Sequence, residues 1–183
     1  MISTRALWTA GLWVAFGAAS QASAQTFPVV TGTTEIQIGV SGITLPRDSG
    51  GLWSLNPELR IGFFLQPGFE LQAEGNFRAW PGGAVSGRSY GGGGNLVWYP
   101  NLGPQSRNLY LLGGASGVLS EPPGQDEDTE LDVTGRGGVG YKAPIAFPWL
   151  AGAHLSVEYR GEVIVTRDRA FVSGAAIGIS FFR

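Results

Sequence analysis

The chain has 183 residues, with 30 glycines, 11 prolines, no cysteine and a formal net charge of −2. The lack of cysteine excludes a disulfide framework and a thiolate metal site, and the lack of a basic excess argues against a nucleic-acid partner. The glycine and proline content argues against long helices, and the glycines lack the three-residue period of collagen.

The first 24 residues have the pattern of a secretory signal peptide. Arg5 provides a positive start, an uncharged apolar run follows, and an Ala-Ser-Ala sequence ending at Ala24 fits a cleavage site. The run is shorter than the roughly 20 apolar residues of a membrane-spanning helix. We therefore expect cleavage after Ala24, a lead-in over residues 25–34, and one exported domain over residues 35–183.

The rest of the chain predicts eight β-strands. Apolar and polar residues alternate with a period of two, and turn residues separate the alternating segments. The Gln-Pro-Gly sequence at 66–68 predicts a tight turn between the second and third strands. The predicted strands cover residues 34–44, 57–65, 69–80, 89–99, 108–118, 130–142, 154–164 and 171–182.

Charged residues sort to one face of the clearest predicted strands. Because successive side chains of a strand point to opposite faces, Glu70, Glu74 and Arg78 share one face, opposite Phe69 and Leu71. Three other segments, 57–65, 131–141 and 154–164, sort their charges in the same way. The predicted charged face consists of Glu58, Arg60, Glu70, Glu74, Arg78, Asp132, Arg136, Glu158, Arg160 and Glu162.

The alternation fits a barrel, and the charges indicate which face is inside. A soluble barrel buries its apolar face, whereas a transmembrane barrel turns that face to lipid and lines its lumen with polar groups. An Arg or Lys on the lipid face would cost about 2–4 kcal/mol at mid-membrane, while charges of both signs can pair across a narrow eight-stranded lumen. We therefore predict an all-β, eight-stranded antiparallel up-and-down transmembrane β-barrel with a closed polar lumen and a monomeric state.

Aromatic residues near the predicted strand ends support a membrane-spanning barrel. Trp and Tyr are enriched at membrane–water interfaces, so two sets of aromatic residues at opposite strand ends predict two girdles. The expected girdle residues are Trp53, Trp80 and Phe171 at one end, and Phe69, Trp98, Tyr99, Tyr110, Tyr141, Trp149, Phe181 and Phe182 at the other.

Over about residues 35–183 the chain resembles the small OmpA/OmpX-type outer-membrane barrels. The resemblance rests on the signal peptide, the eight alternating strands and a closing strand that contains AAIGISFF. It implies the outer membrane of a Gram-negative cell, contact with membrane lipid and lipopolysaccharide, and assembly by the barrel assembly machinery. Such chains typically end on an aromatic residue, whereas Arg183 follows Phe182 here. The family implies no single activity. We expect no cofactor and no metal site.

One constellation has a catalytic counterpart among such barrels. Outer-membrane lipid A deacylases use a His–Ser–Glu set in which His and Ser are two residues apart, as His154 and Ser156 are here. Those enzymes direct the set at lipid, whereas His154 and Ser156 share the predicted lumen face with Glu158. Val157 also replaces the Asn that usually follows the serine. We therefore predict no catalytic residue.

The sequence leaves several functions open. A structural or surface-interaction barrel is the main prediction, and the alternatives are a narrow, porin-like ion pore, a lipid A-modifying enzyme and a secreted soluble ligand-binding barrel. The acidic segment 121–130 could hold divalent cations that bridge lipopolysaccharide. Its spacing does not match an EF-hand, which favours a solvated loop.

Overall fold

The computed structural model describes residues 30–44, 53–79, 88–100, 108–121, 130–166 and 171–183. The expected signal peptide, Trp80 and most of the acidic segment lie outside these ranges. The strands are β1 (Thr34–Thr44), β2 (Trp53–Gln66), β3 (Phe69–Ala79), β4 (Arg88–Trp98), β5 (Leu109–Glu121), β6 (Glu130–Pro144), β7 (Ala153–Ile164) and β8 (Phe171–Phe182). Within the described ranges, no helix is long and apolar enough to cross a membrane.

The eight strands form a closed barrel in which each strand pairs antiparallel with the next. Closure comes from β1 and β8, whose register aligns Ile38 with Ile179. At the ends of these two strands, Thr34 and Arg183 exchange backbone hydrogen bonds of 2.8 and 2.9 Å. The predicted up-and-down barrel is therefore confirmed, and the first and last strands pair with each other.

Strand bounds differ from the expected ones mainly at β2. The sequence predicts this strand over residues 57–65, where apolar and charged residues alternate. The structure starts β2 at Trp53 and continues through Pro57, which pairs with Val40 of β1. The predicted tight turn is present: Gln66 pairs with Phe69, and Gly68 has a φ of 87°, a conformation that favours glycine after Pro67.

The barrel places apolar side chains outside and polar side chains inside. Ile38 and Leu59 are 59% and 47% exposed, whereas Arg60 and Glu70 are 1% and 0% exposed. A water-soluble protein has the reverse arrangement, with apolar side chains inside and charged side chains outside. Charged groups are almost never fully buried unless they are paired. An apolar outer wall and a paired polar interior are the arrangement of a transmembrane barrel.

Inward glycines make room for the large side chains of the interior. A Cβ atom on Gly62 would overlap the Glu70 carboxylate, and one on Gly140 would overlap the Tyr110 ring. Two other glycines, Gly113 and Gly135, differ, since an added Cβ there meets nothing within 4 Å. Packing therefore requires glycine at Gly62 and Gly140 but not at Gly113 and Gly135.

Candidate functional site: the barrel interior

Six charged side chains from four strands meet across the middle of the lumen, and we name them the central layer. Its members are Glu58, Arg60, Glu74, Arg136, Glu158 and Arg160. Each is at most 7% exposed. Three guanidinium groups face three carboxylates, so the layer is balanced in formal charge.

Arg60 is the hub of the central layer. Its guanidinium donates to both carboxylate oxygens of Glu158 at 2.8 and 3.0 Å. Its Nη2 atom lies 3.0 Å from a Glu58 oxygen, and its Nε atom lies 3.1 Å from a Glu74 oxygen. The planar fork of arginine suits several carboxylates at once, so one side chain connects all three glutamates.

The other two arginines share these carboxylates. Arg160 donates to both oxygens of Glu58 at 2.7 and 2.8 Å and lies 2.9 Å from an oxygen of Glu158. Arg136 donates to Glu74. Every glutamate of the layer therefore has at least two arginine partners within 4 Å.

A second group lies near the end of the barrel where β1 begins and β8 ends, which we name the terminal end. Here Lys142 Nζ lies 2.6 Å from both carboxylate oxygens of Glu35 and 2.7 Å from the Tyr99 hydroxyl. The Tyr99 hydroxyl donates to Glu70 at 2.9 Å, and Lys142 Nζ lies 3.9 Å from the same Glu70 oxygen. The Lys142 ammonium group therefore forms ion pairs with two carboxylates, those of Glu35 and Glu70.

Aromatic rings surround this ammonium. Lys142 Nζ lies 5.1 Å from the Tyr110 ring centroid, 5.4 Å from that of Tyr99 and 5.7 Å from that of Phe182. These distances are within the range of a cation–π attraction, which is strongest when water is excluded. We name Glu35, Glu70, Tyr99, Tyr110, Lys142 and Phe182 the end cluster. Tyr110 also donates a 2.9 Å hydrogen bond to Glu158, which links the two groups.

The girdle prediction is wrong for three residues of the end cluster. Tyr99 and Tyr110 are 6% and 1% exposed and lie inside the barrel, and the Phe182 ring packs 6.3 Å from the inward Phe64 ring. Their position at strand ends suggested an interface, but the alternation of the strand decides which way a side chain points. Trp98, which precedes Tyr99, is 44% exposed and faces outward.

The other expected girdle residues are placed as follows. Phe171 and Phe181 are 61% and 43% exposed on the outer face. Phe69 stacks on Trp98 with ring centroids 6.3 Å apart, and Tyr141 accepts a hydrogen bond from Asn108. Trp53 starts β2, but its side chain lies outside the described set.

Eight of the ten residues of the predicted charged face are buried inside the barrel. Glu70 belongs to the end cluster, and Glu162 lies on the inner face of β7 beyond the central layer. Asp132 is partly exposed and accepts a 2.9 Å hydrogen bond from Thr166. The Arg78 side chain lies outside the described set.

Sequence reasoning missed Glu35 and Lys142, the closest ion pair of the end cluster. The charge-sorted segments left out the first predicted strand and stopped at residue 141, one position before Lys142. Both residues lie on the inward parity of strands that the sequence did predict. Applying the same alternation to the whole of 34–44 and 130–142 would have placed both in the lumen.

The deacylase-like pair also points inward. Ser156 is 1% exposed and accepts a 3.1 Å hydrogen bond from the Gln37 side chain. His154 is 5% exposed, and its ring meets the Phe182 ring edge to face at 5.0 Å. Both side chains therefore point into the barrel and away from its outer wall. Among the described residues, no three His, Asp or Glu side chains are arranged to hold a metal ion.

Comparison with known proteins identifies the fold alone. No family model matches the chain, and no curated protein matches it. The chain is similar to the solved N-terminal β-barrel domain of Pseudomonas aeruginosa OprF, with 13% identity over 82% of this chain and 98% of that chain and a TM-score of 0.56. It is also similar to Ail, the attachment invasion locus protein of Yersinia pestis, with 14% identity, coverage of 84% and 100%, and a TM-score of 0.52.

A third solved structure, Neisserial surface protein A, matches with 12% identity over 81% of this chain and 95% of that chain and a TM-score of 0.51. All three are small outer-membrane barrels that are covered almost in full. The chain therefore has the fold of the small eight-stranded outer-membrane barrels.

Proposed function

We propose that the chain is an outer-membrane barrel with a structural or surface-interaction role and a lumen closed by its own side chains. The observation that carries this proposal is the central layer. Three arginines and three glutamates interlock across the lumen, and each is at most 7% exposed. Wide aqueous pores belong to barrels with about 16–18 strands, whereas side chains fill an eight-stranded one.

Export and orientation form part of the proposal. The signal peptide would be removed after Ala24. An even strand number puts both ends of the barrel strands on the same side, and we propose that this side is the periplasmic one. The ends of β1, β3, β5 and β7, at Thr44, Ala79, Glu121 and Ile164, would then face the outside of the cell. Membrane lipid would contact the apolar outer wall, lipopolysaccharide would contact its outer-leaflet half, and the barrel assembly machinery would insert the chain.

A gel-mobility experiment tests the membrane-barrel assignment. The envelope fraction of expressing cells is run on SDS gels with and without boiling. We expect a heat-dependent mobility shift in the outer-membrane fraction, because a closed hydrogen-bonded barrel resists cold SDS. A chain found in the soluble periplasmic fraction without a shift would overturn the assignment and favour the soluble ligand-binding barrel.

A narrow ion pore is the second candidate, and one observation favours it. The Asn56 side chain is 1% exposed, and neither of its polar atoms has a hydrogen-bond partner among the described residues. Two buried nitrogens of Arg136, Nε and Nη2, also have no hydrogen-bond partner among the described residues. Buried polar groups of this kind are often satisfied by internal water, and a continuous file of water could carry ions.

Single-channel recording separates the two candidates. Purified barrel in a planar bilayer is expected to give no conductance steps above background, since the central layer blocks the lumen. Discrete steps from the wild-type protein would overturn the closed lumen and establish the pore. A variant with Arg60→Ala is the matched control, because it removes the hub of the layer and shows whether open barrels are detectable.

A further inference from the structure

Arg136 has fewer carboxylate partners than the other two arginines of the central layer. Arg60 and Arg160 each lie within 4 Å of all three glutamates of the layer. Within the described ranges, the only carboxylate that lies within 4 Å of the Arg136 guanidinium is that of Glu74. Glu74 is itself shared with Arg60 and Arg160. Arg136 is therefore the cation of the layer whose charge is least compensated.

One edge of the Arg136 guanidinium carries N–H groups that no described residue accepts. Nη1 donates to Glu74, whereas Nε and Nη2 have no hydrogen-bond partner in the part of the chain that the structure describes. Nε and Nη2 lie on the same edge of the planar group, and their parallel N–H bonds match two oxygens of one carboxylate or phosphate. Because Arg136 is only 7% exposed, these charged donors need a partner inside the barrel.

Two hydroxyl groups lie beside this edge. A Cβ atom on Gly93 would lie 2.8 Å from Arg136 Nη2 and 2.6 Å from Ser116 Cβ, so both groups border the same point of the inner wall. Ser116 Oγ lies 2.6 Å from Thr134 Oγ1, and either atom can be the donor of that pair. Hydroxyl groups rotate to suit a ligand. The surroundings can therefore add a hydroxyl donor to the two N–H groups.

The site lies on the side of the central layer that faces away from the terminal end. Arg136 is the most exposed member of the layer. Thr134 and Asp132 follow it along the inner face of β6 in this direction, and Asp132 is partly exposed. Asp132 and Glu162, which is aligned with Arg136 in the register of β6 and β7, oppose an anion. The geometry thus suits a small anion held by parallel hydrogen bonds rather than by net charge.

We propose that the Nε–Nη2 edge of Arg136 binds a small oxyanion of the phosphate, sulfate or carboxylate class, which enters from the end opposite the terminal end. The inference rests on the proposed function in one respect. The central layer closes the lumen beyond the site, so that the anion is retained and not conducted. In the proposed orientation the anion comes from outside the cell. Arginine suits this role because its fork contacts two oxygens at once, whereas lysine offers a point charge.

Side-chain NMR of the folded barrel tests the proposal. Nitrogen-labelled protein in dodecyl maltoside micelles is titrated with sodium phosphate, and sodium chloride keeps the ionic strength constant. We expect the Nε–H resonance of Arg136, assigned by its loss in Arg136→Lys, to shift and saturate. Arg136→Lys keeps the charge but loses the two-donor edge. Its phosphate affinity, measured on the backbone amides of Ser116 and Thr134, should fall by about tenfold or more.

Two further variants keep the test independent of how well Arg136→Lys folds. Glu162→Gln removes an opposing charge and should raise the phosphate affinity. Arg183→Gln removes an exposed arginine at the terminal end and should leave the affinity unchanged. A titration with glycerol phosphate separates two sources of the same chemistry, because a lipid headgroup carries a phosphate ester and free phosphate is not an ester.

Three results would decide against the site or against the closed lumen. If the Arg136 resonance does not move, or moves equally with chloride alone, water satisfies the edge and the inference is wrong. If Arg136→Lys binds phosphate as tightly as the wild type, the anion binds elsewhere and the inference is again wrong. If phosphate binds at Arg136 but wild-type barrels give conductance steps in the planar bilayer, the site stands and the closed lumen of the proposed function fails.

Discussion

The central layer and the end cluster are both buried ionic groups, but they distribute their charges differently. In the central layer each glutamate contacts at least two arginines within 4 Å. In the end cluster, Lys142 is the one cation of the described chain in contact with Glu35 and Glu70. The central layer can lose a cation and keep every carboxylate paired, whereas the end cluster cannot.

The surroundings of the two groups differ as well. The central layer satisfies its charges mainly with one another and with side-chain amides such as that of Asn95, which donates to Glu74 at 3.2 Å. The end cluster places its ammonium among three aromatic rings. A buried ion pair stabilises only if hydrogen bonds satisfy its remaining groups. We infer that the central layer tolerates substitution through redundancy, while the end cluster depends on a single residue.

The largest expected effect follows from removing that residue. Lys142→Met keeps an unbranched side chain of similar length and leaves Glu35 and Glu70 buried without a cation. Breaking a buried pair by removing one partner costs about 3–5 kcal/mol, so we expect a loss of this size in the free energy of unfolding. Urea titration of the folded barrel in detergent micelles, followed by tryptophan fluorescence, measures the loss.

The matched control adds Glu35→Gln to Lys142→Met. The double variant should recover part of the stability, because one of the two unpaired carboxylates is then neutral. A Lys142→Met barrel as stable as the wild type would show that the end cluster has another source of stability, and the contrast with the central layer would disappear.

A smaller effect is expected from the corresponding change in the central layer. Arg160→Met leaves Glu58 and Glu158 paired with Arg60 at 3.0 and 2.8 Å. The loss should then be close to that of hydrogen bonds to charged groups, about 1.5–3 kcal/mol. The same titration measures it. A loss larger than that of Lys142→Met would contradict the role assigned to redundancy.

The packing of the end cluster is tested by Gly140→Ala. The added Cβ would overlap the ring of Tyr110, which is 1% exposed and has no room to move freely. Overpacking of this kind costs typically about 1–3 kcal/mol. The control, Gly135→Ala, adds the same atom where nothing lies within 4 Å and should leave stability unchanged or slightly raised. Equal losses at the two glycines would remove the steric explanation.

The sequence predicted the parts of this molecule that depend on alternation. Glu58, Arg60, Glu158 and Arg160 lie on the inner face because a period of two assigns faces along a strand. The same rule would have placed Tyr99 inside, since it shares a parity with Val97 and Asn95 in the same alternating stretch. The girdle prediction for Tyr99 is wrong, because parity along the strand, and not nearness to its end, sets the direction of the side chain.

Contacts across the lumen could not be predicted in this way. Arg60 and Glu158 are separated by 98 positions in the chain and meet because the barrel closes. Alternation states that both point inward, but the level at which each lies depends on the register of every strand between them. The division of the interior into two groups follows from those registers and from the inward glycines, such as Gly62 and Gly140, that leave space for large side chains.

The smallest expected effect comes from the Tyr110 hydroxyl, which joins the two groups. Tyr110→Phe keeps the ring near Lys142 and removes only the 2.9 Å hydrogen bond to Glu158. Glu158 keeps both hydrogen bonds from Arg60, so the loss should be that of one hydrogen bond, about 0.5–1.5 kcal/mol.

A double-mutant cycle extends the test. The losses for Lys142→Met and Arg160→Met should add within about 0.5 kcal/mol in a Tyr110→Phe background if the two groups are otherwise independent. A coupling energy that persists without the hydroxyl would mean that the two groups are coupled through the strands. The central layer and the end cluster could then not be treated as separate groups.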